Sequence, residues 1–305
     1  MAKTLPKQAI LIVNAGSRRG ADLFAEAREK LAAAGIELLE ARKCKSAKTM
    51  GTAVRRALKN APMVIVGGGD GSLSSNVDDF VGTDVVFAVL PLGTANSFAR
   101  TIGMPLDLDG AVEVIAEGEP RKIDVGCING DYFLNAAAMG LAPKVAESVP
   151  HGLKRKLGRL GYLIWAGWSA ANFRAFRVKL EDGKRTHRMW ATEVRIANGR
   201  YHGGIELIEN ADLKSGEIVV QVVTGRSVAK LGWSYFASAT KLKARRQTVR
   251  EFVSSEFRLS TRPQMKVSID GEIGAETPLE ISAMPDAVTI AMPRGSYPKR
   301  SSAAR

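Results

Sequence analysis

The sequence predicts two structural units, a layered α/β domain on a parallel sheet and then a domain that is mostly antiparallel β. Three observations carry this. Apolar runs of strand length alternate with helical periodicity over residues 9–90. Three consecutive glycines follow the buried run Met63-Val64-Ile65-Val66 directly. From Arg121 onward the pattern breaks into short strands separated by turn signals.

Ala9 to Val13 is a short apolar strand that ends at Asn14-Ala15-Gly16-Ser17-Arg18-Arg19-Gly20. Small, polar and basic residues there suit a phosphate-contacting turn, and a plain βα loop explains them equally. Leu23, Phe24, Ala27 and Leu31 keep helical spacing until Gly35 stops it. Ile36 to Leu39 predicts the next strand, and Thr52 to Lys59 a helix leading to Met63. The strand from Met63 then meets Gly67-Gly68-Gly69-Asp70-Gly71-Ser72, with Ser72 as the expected N-cap of a following helix. Glycines let backbone N–H groups converge on an anion, and a helix N-terminus adds its positive end. The loop has neither P-loop nor GxGxxG spacing. A tight strand-to-helix turn is the plain alternative, though such a turn needs no carboxylate at Asp70.

Val85 to Leu90 is a further buried strand, running into Pro91-Leu92-Gly93-Thr94-Ala95-Asn96-Ser97-Phe98-Ala99-Arg100. A hydroxyl and an amide at that end of a strand sit where open α/β sheets bind ligands, although Thr94 also suits an N-cap. Cys127 to Tyr132 reads as a hairpin with an Asn129-Gly130 turn. Val178 to Leu180, Glu193 to Ala197, Ile218 to Val223, Phe257 to Ser260, Met265 to Ile269 and Ala287 to Met292 read as strands. The expected division is residues 1–125 as the α/β domain and 126–286 as the β-rich domain. A last strand near 287–297 would return to the first domain, and 298–305 would form a tail.

A net charge of +13 over 305 residues implies an anionic partner: nucleic acid, a phosphate-bearing substrate or an acidic membrane surface. The two cysteines, Cys44 and Cys127, form no metal motif and no disulfide framework, which suits a reducing compartment. No signal-peptide pattern opens the chain, and the apolar stretch from Tyr162 to Ala171 is too short to span a bilayer. A cytoplasmic protein, peripheral to the membrane, is the expectation.

Two segments lack acid altogether, one between Glu147 and Glu181 and one between Glu217 and Glu251. The first gathers His151, Lys154, Arg155, Lys156, Arg159, Arg174 and Arg177 around a helical Leu153–Trp168 stripe. The second sets Trp233, Tyr235 and Phe236 before Lys241, Lys243, Arg245 and Arg246. Basic aromatic helices suit anionic lipid headgroups; a core-facing stripe with a solvated basic face, or nucleic acid, uses the same residues.

Taken together, the Gly67–Ser72 and Pro91–Ala99 motifs resemble the catalytic signatures of the diacylglycerol kinase family, which includes bacterial soluble lipid kinases and the sphingosine and ceramide kinases. The resemblance continues through Arg121–Gly126, Tyr132–Asn135, Asn198–Gly204 and Asp270-Gly271-Glu272. It implies a Rossmann-like, NAD-kinase-like nucleotide domain, a C-terminal β-sandwich and a cleft between them, with ATP, Mg2+ and a lipid hydroxyl as reactants. Carried over by position, Asn14, Ser17, Gly67, Gly68, Gly69, Asp70, Gly71, Ser72, Thr94 and Asn96 would surround the nucleotide. Asp70 would face magnesium, Glu272 would accept the proton with Asp270 beside it, and Asp124 would belong to the same network. The chain departs from the family at Asn76, where a glutamate is usual. It departs again near Asp212, Ser215 and Glu217, where Ser215 replaces an aspartate of a structural magnesium site and Lys214 adds a positive charge. The resemblance implies a lipid substrate; the basic aromatic segments make an anionic membrane surface the expected partner, and no nucleic acid is expected. An NAD kinase, sharing a Gly-Gly-Asp-Gly loop, and a silent nucleotide sensor or basic nucleic-acid-binding protein are the rival readings.

Overall fold

The protein is described by a computed structural model covering residues 4–16, 20–141, 173–225 and 249–295. Its first lobe runs β1 (Gln8–Asn14), α1 (Gly20–Ala33), β2 (Glu37–Cys44), α2 (Ala47–Ala57), β3 (Met63–Gly68), α3 (Asp70–Phe80), β4 (Val86–Pro91), α4 (Ser97–Thr101) and α5 (Leu108–Glu117). The second lobe continues with β5 (Glu119–Ile128), β6 (Asp131–Phe133), β7 (Ala136–Gly140), β8 (Phe176–Glu181), β9 (Thr186–Ala197), β10 (Tyr201–His202) and β11 (Ile205–Glu206). It ends with β12 (Ile218–Thr224), β13 (Val249–Ser254), β14 (Glu256–Arg262), β15 (Lys266–Ile269), β16 (Glu272–Glu276) and β17 (Leu279–Met292).

The parallel sheet has the order β4-β3-β1-β2. The chain steps outward from β1 to β2 and then back across to β3. Right-handed crossovers therefore put α1 on one face and α2 and α3 on the other. The packing agrees, since α2 lies against α3 and α1 against α5. β3 and β4 are buried along their whole length, so both read as continuous apolar runs. β2 extends five residues beyond the Ile36–Leu39 expectation, through Glu40, Arg42 and Lys43. It is the sheet's edge strand, and charge is tolerated there. α3 begins at Asp70 with Gly69 as N-cap, so Ser72 lies inside the helix rather than capping it. Side-chain caps stand instead on α2, where Ser46 and Thr49 form a capping box, and on α5, where Asp107 accepts from Gly110 N.

The second lobe is an antiparallel β-sandwich around Phe133, Phe176, Val194, Ile196, Val220 and Phe257. β9 is its spine: residues 186–191 pair with β8, and 193–197 pair with β7. β12 lies along its other edge. Asn129 and Gly130 turn the β5–β6 hairpin with φ of 53° and 99°, as Asn-Gly predicts. Arg177, the last basic residue of the first acid-free segment, stands in strand β8, which begins at Phe176; His151 to Trp168 and Trp233 to Arg246 lie outside the described residues, as do Ser17 and the 298–305 tail. Late in the chain, β17 pairs with β14 at one end and lies parallel to β4 at Ile290. No described helix is long and apolar enough to cross a membrane.

Candidate active site at the lobe seam

The C-terminal ends of β1, β3 and β4 share one rim, and β1 and β3 flank the point where the sheet's winding reverses. Ligands of open α/β sheets bind at such a point. Asn14 ends β1, and its Nδ2 donates to Ser72 Oγ at 2.7 Å while its Oδ1 accepts from Gly16 N at 2.9 Å. The loop after β3 crosses the loop after β4 backbone to backbone. A Cβ on Gly93 would lie 2.4 Å from Gly69 Cα. These two glycines are therefore demanded by the packing of one loop on the other, whatever an anion also requires.

Asp70 opens α3 and holds the neighbouring loop. Its two carboxylate oxygens accept from Phe98 N (2.9 Å) and Ser97 N (3.0 Å), capping α4 from outside. Asn96, the N-cap by position, has φ 47° and turns its side chain inward, accepting from Gly93 N and donating to Gly93 O and Pro91 O. Asn96 thus fastens its own loop, whereas Thr94 is exposed on the rim.

The second lobe reaches this rim through Asp270. Asp270 and Gly271 turn the β15–β16 hairpin with φ of 45° and 101°. The Asp270 carboxylate accepts from Leu134 N (2.9 Å), Asn135 N (3.2 Å), Ala136 N (2.9 Å) and Ser74 Oγ (2.7 Å). Ser74 stands one turn after Asp70 on α3, so this bond joins the two lobes directly. Burial pushes the Asp270 carboxyl up; Ala136 N–H, the Ser74 hydroxyl and Leu134 N–H oppose the shift, and the Asp70 charge adds to it. Asp70 and Asp270 are thus close enough to repel. Glu272 opens β16 across from Ile269, two residues beyond Asp270. A cavity of about 200 Å³ lies along the seam between Ser74, Ser75 and Asp78 on one side and Tyr132 and Asp270 on the other. Burial raises the Asp78 carboxyl, against the Tyr132 backbone N–H.

A short hairpin closes the other side. Gly203 and Gly204, with φ of 60° and 81°, turn β10 into β11, and Gly204 N donates to Ser97 Oγ at 3.0 Å. Asn135 Nδ2 donates to Tyr201 O. This hairpin carries His202, whose imidazole feels the charges of Arg195, Glu193 and Asp70. Sequence reasoning missed Ser74, Ser97 and His202 as site residues. Ser74 had one local signal, its i+4 position from Asp70 on a helix face.

Asp124 and the 212–217 loop form a separate knot. Asp124 accepts from Gly216 N at 2.7 Å and Asp286 N at 3.0 Å, and its side chain ties the loop to β17. The Lys214 ammonium donates to Lys122 O (2.9 Å) and Asp286 Oδ1 (2.8 Å). Ser215 Oγ donates to Asp212 O, and Glu217 N donates to Ser215 Oγ. With a serine hydroxyl spent on Asp212 O where a carboxylate would be needed, and the Lys214 ammonium beside the loop, the donor set at Asp212, Ser215 and Glu217 does not fit a divalent cation. No group of three or more metal-ligating side chains occurs among the described residues. A nucleotide-borne Mg2+ needs only one or two carboxylates besides phosphate, and each Asp70 oxygen keeps a second lone pair, so Asp70 fits that lesser demand.

Comparison with known proteins matches both lobes. The diacylglycerol kinase catalytic domain family matches residues 8–128. The YegS C-terminal NAD kinase beta sandwich-like domain matches residues 135–292. A Staphylococcus haemolyticus diacylglycerol kinase is 26% identical over 79% of this chain and 74% of its own. A Klebsiella pneumoniae protein named "Probable lipid kinase YegS-like" is 30% identical over 77% of this chain and 79% of its own. The crystal structure of a candidate diacylglycerol kinase from Bacillus anthracis superposes with a TM-score of 0.81 at 26% identity, covering 96% of this chain and 97% of the other. With both lobes matched in order across nearly the whole length, the chain belongs to the diacylglycerol kinase family of lipid kinases and is YegS-like in its C-terminal domain.

Proposed function

We propose that the protein transfers the γ-phosphate of ATP to a hydroxyl of diacylglycerol, ceramide or a related lipid at a membrane surface. One observation carries this reading: the Ser74–Asp270 hydrogen bond, which brings the β15–β16 turn of the sandwich against the helix that follows the glycine loop. The first turn of α3 presents backbone N–H groups and the positive end of the helix to the triphosphate. Asn14, Ser72 and Thr94 would flank it, and Asp70 would be the carboxylate to hold a magnesium ion carried by the nucleotide. Magnesium, when carried in with ATP, would neutralise charge on the phosphate oxygens.

The acceptor headgroup would enter the seam cavity, whose volume suits a polar head and leaves the acyl chains outside. Glu272 would take the acceptor's proton as its oxygen bonds to the γ-phosphorus and the bond to the ADP oxygen breaks. Asp270 acts through position: three backbone N–H groups and one hydroxyl fix the turn that carries Glu272.

The test is label transfer from ATP to a panel of lipid alcohols and NAD in mixed micelles with magnesium. Labelled lipid is expected, with Glu272→Ala about 100-fold slower or worse, the usual worth of a general base. No labelled lipid at all, or label on NAD alone, overturns the reading.

A further inference from the structure

The outer face of the β14–β8–β9 sheet carries cations that the proposed reaction does not use. Strand register sets them in rows: Arg262 beside Arg177 beside Trp190, and one dyad along, Ser260 beside Lys179 beside Arg188. Alternation sends Val178 and Leu180 into the core and leaves Arg177 and Lys179 on the outside. Arg177, Arg188 and Arg262 are exposed, and the Arg177 guanidinium lies 5.0 Å from the centre of the Trp190 ring. Together these side chains border a groove of about 580 Å³ with no carboxylate among its described lining residues. Glu181, the next acid along β8, pairs with Lys179 at 2.6 Å.

Two features separate this face from general basicity. Arg177 is paired directly with Arg262, and Lys179 with Arg188, although like charges opposite each other weaken a sheet. A surface selected for stability or solubility would intersperse the signs. The neighbouring groove of about 930 Å³ does so, with Glu181, Glu256 and Glu280 against Lys184, Arg185 and Arg258.

We infer that the end of the β14–β8–β9 face that carries Arg177, Arg188, Trp190 and Arg262 docks the protein on the anionic headgroups of a lipid bilayer. A flat row of guanidinium groups matches a plane of phosphates, and Trp190 belongs to the residue type that settles at the headgroup level. Arg262 is eight residues from Asp270 along extended chain, at most about 28 Å, so the face and the acceptor cavity lie within one lobe's width of each other. The choice of a bilayer as the partner rests on the lipid-kinase reading.

Sedimentation with phosphatidylcholine vesicles, with and without phosphatidylglycerol, tests it. Wild type is expected to bind only the anionic vesicles and to leave them as salt rises. The triple variant Arg177→Glu/Arg188→Glu/Arg262→Glu should lose about 100-fold in affinity, roughly fivefold for each basic residue removed from the surface. A control of equal charge change, Lys184→Glu/Arg185→Glu/Arg258→Glu, should stay at least about tenfold tighter than the face triple. Should the face triple fail to fold, Arg188→Glu and Arg262→Glu singly give the same comparison at about fivefold each. Equal behaviour of the two triples overturns the inference. So does tighter binding of wild type to duplex DNA or RNA, abolished by the face triple. Face-dependent vesicle binding without phosphate transfer to any lipid supports docking and overturns the kinase reading alone.

Discussion

Ser74 contributes a single hydroxyl, yet it is the group through which the nucleotide lobe touches the Asp270 turn. A hydrogen bond to a charged, enclosed carboxylate is worth about 1.5–3 kcal/mol. Ser74→Ala is therefore expected to lower unfolding stability by about 2 kcal/mol in urea titrations and to reduce kcat more than the KM for ATP. Unchanged stability and kcat would show that the seam is held elsewhere. His202 offers a pH readout of the same seam. Burial first and the Arg195 guanidinium second push its proton off, against the opposing pull of Glu193 and Asp70, so it titrates below its ordinary 6.5. The unfolded chain takes up that proton first as pH falls through about 6.5; the unfolded state then binds more protons, and stability drops with pH. Thermal melts from about pH 7.5 down to about pH 5.5 should show this decline, and His202→Gln should flatten it. Equal slopes in the two proteins would remove His202 from the account.

Among the elements, the crossing of the two rim loops is the least forgiving. Alanine at Gly93 would set a Cβ 2.4 Å from Gly69 Cα and 2.7 Å from Asn96 Oδ1, both held by backbone or by hydrogen bonds to it. Gly93→Ala is expected to cost about 1–3 kcal/mol, as overpacking does, and to raise the KM for ATP with it; a normal KM would separate the loop crossing from nucleotide binding. Much at this scale was legible in the chain. Buried β3 and β4 announce themselves as apolar runs, Gly35 ends α1, and Asn129-Gly130 marks its hairpin. Residues Glu40 to Cys44 of β2 were not legible, because an edge strand needs no apolar face. The start of α3 was misread at Ser72, because Asp70 is held in place by α4, a partner 27 residues away that no local rule sees. The Ser74–Asp270 contact spans 196 residues. Asn96 looked like a ligand group, but αL backbone folds its amide back onto Gly93. Residue type gave the candidate site; tertiary contacts decided which side chains remain free to serve it.

At the scale of the whole molecule the lobes are joined by two strands rather than by a linker. β5 and β17 pair from Ile128–Ile281 to Glu119–Met292, the sandwich end of β17 meeting β14 and its far end meeting β4. The register breaks once, between Met284 and Val288, where Asp286 has φ 49° and donates its N–H to Asp124. Asp124 also holds Gly216, so one buried carboxylate fastens the bulge and the 212–217 loop at the point where β17 passes between lobes. Because the Lys214 ammonium already ties that loop to Lys122 O and Asp286, a chelator should leave the melting temperature of the nucleotide-free protein unchanged, and a clear drop would reveal a metal the loop needs. Shared strands also make the lobes one cooperative unit, since neither sheet can melt without stripping a strand from the other. Calorimetry of the wild type should show a single transition. Asp124→Ala leaves two backbone N–H groups without their acceptor, at about 1.5–3 kcal/mol each for hydrogen bonds to a charged group, and should lower the melting temperature while keeping one transition. Two resolved peaks in the wild type would mean that β17 is a tether and not a spine.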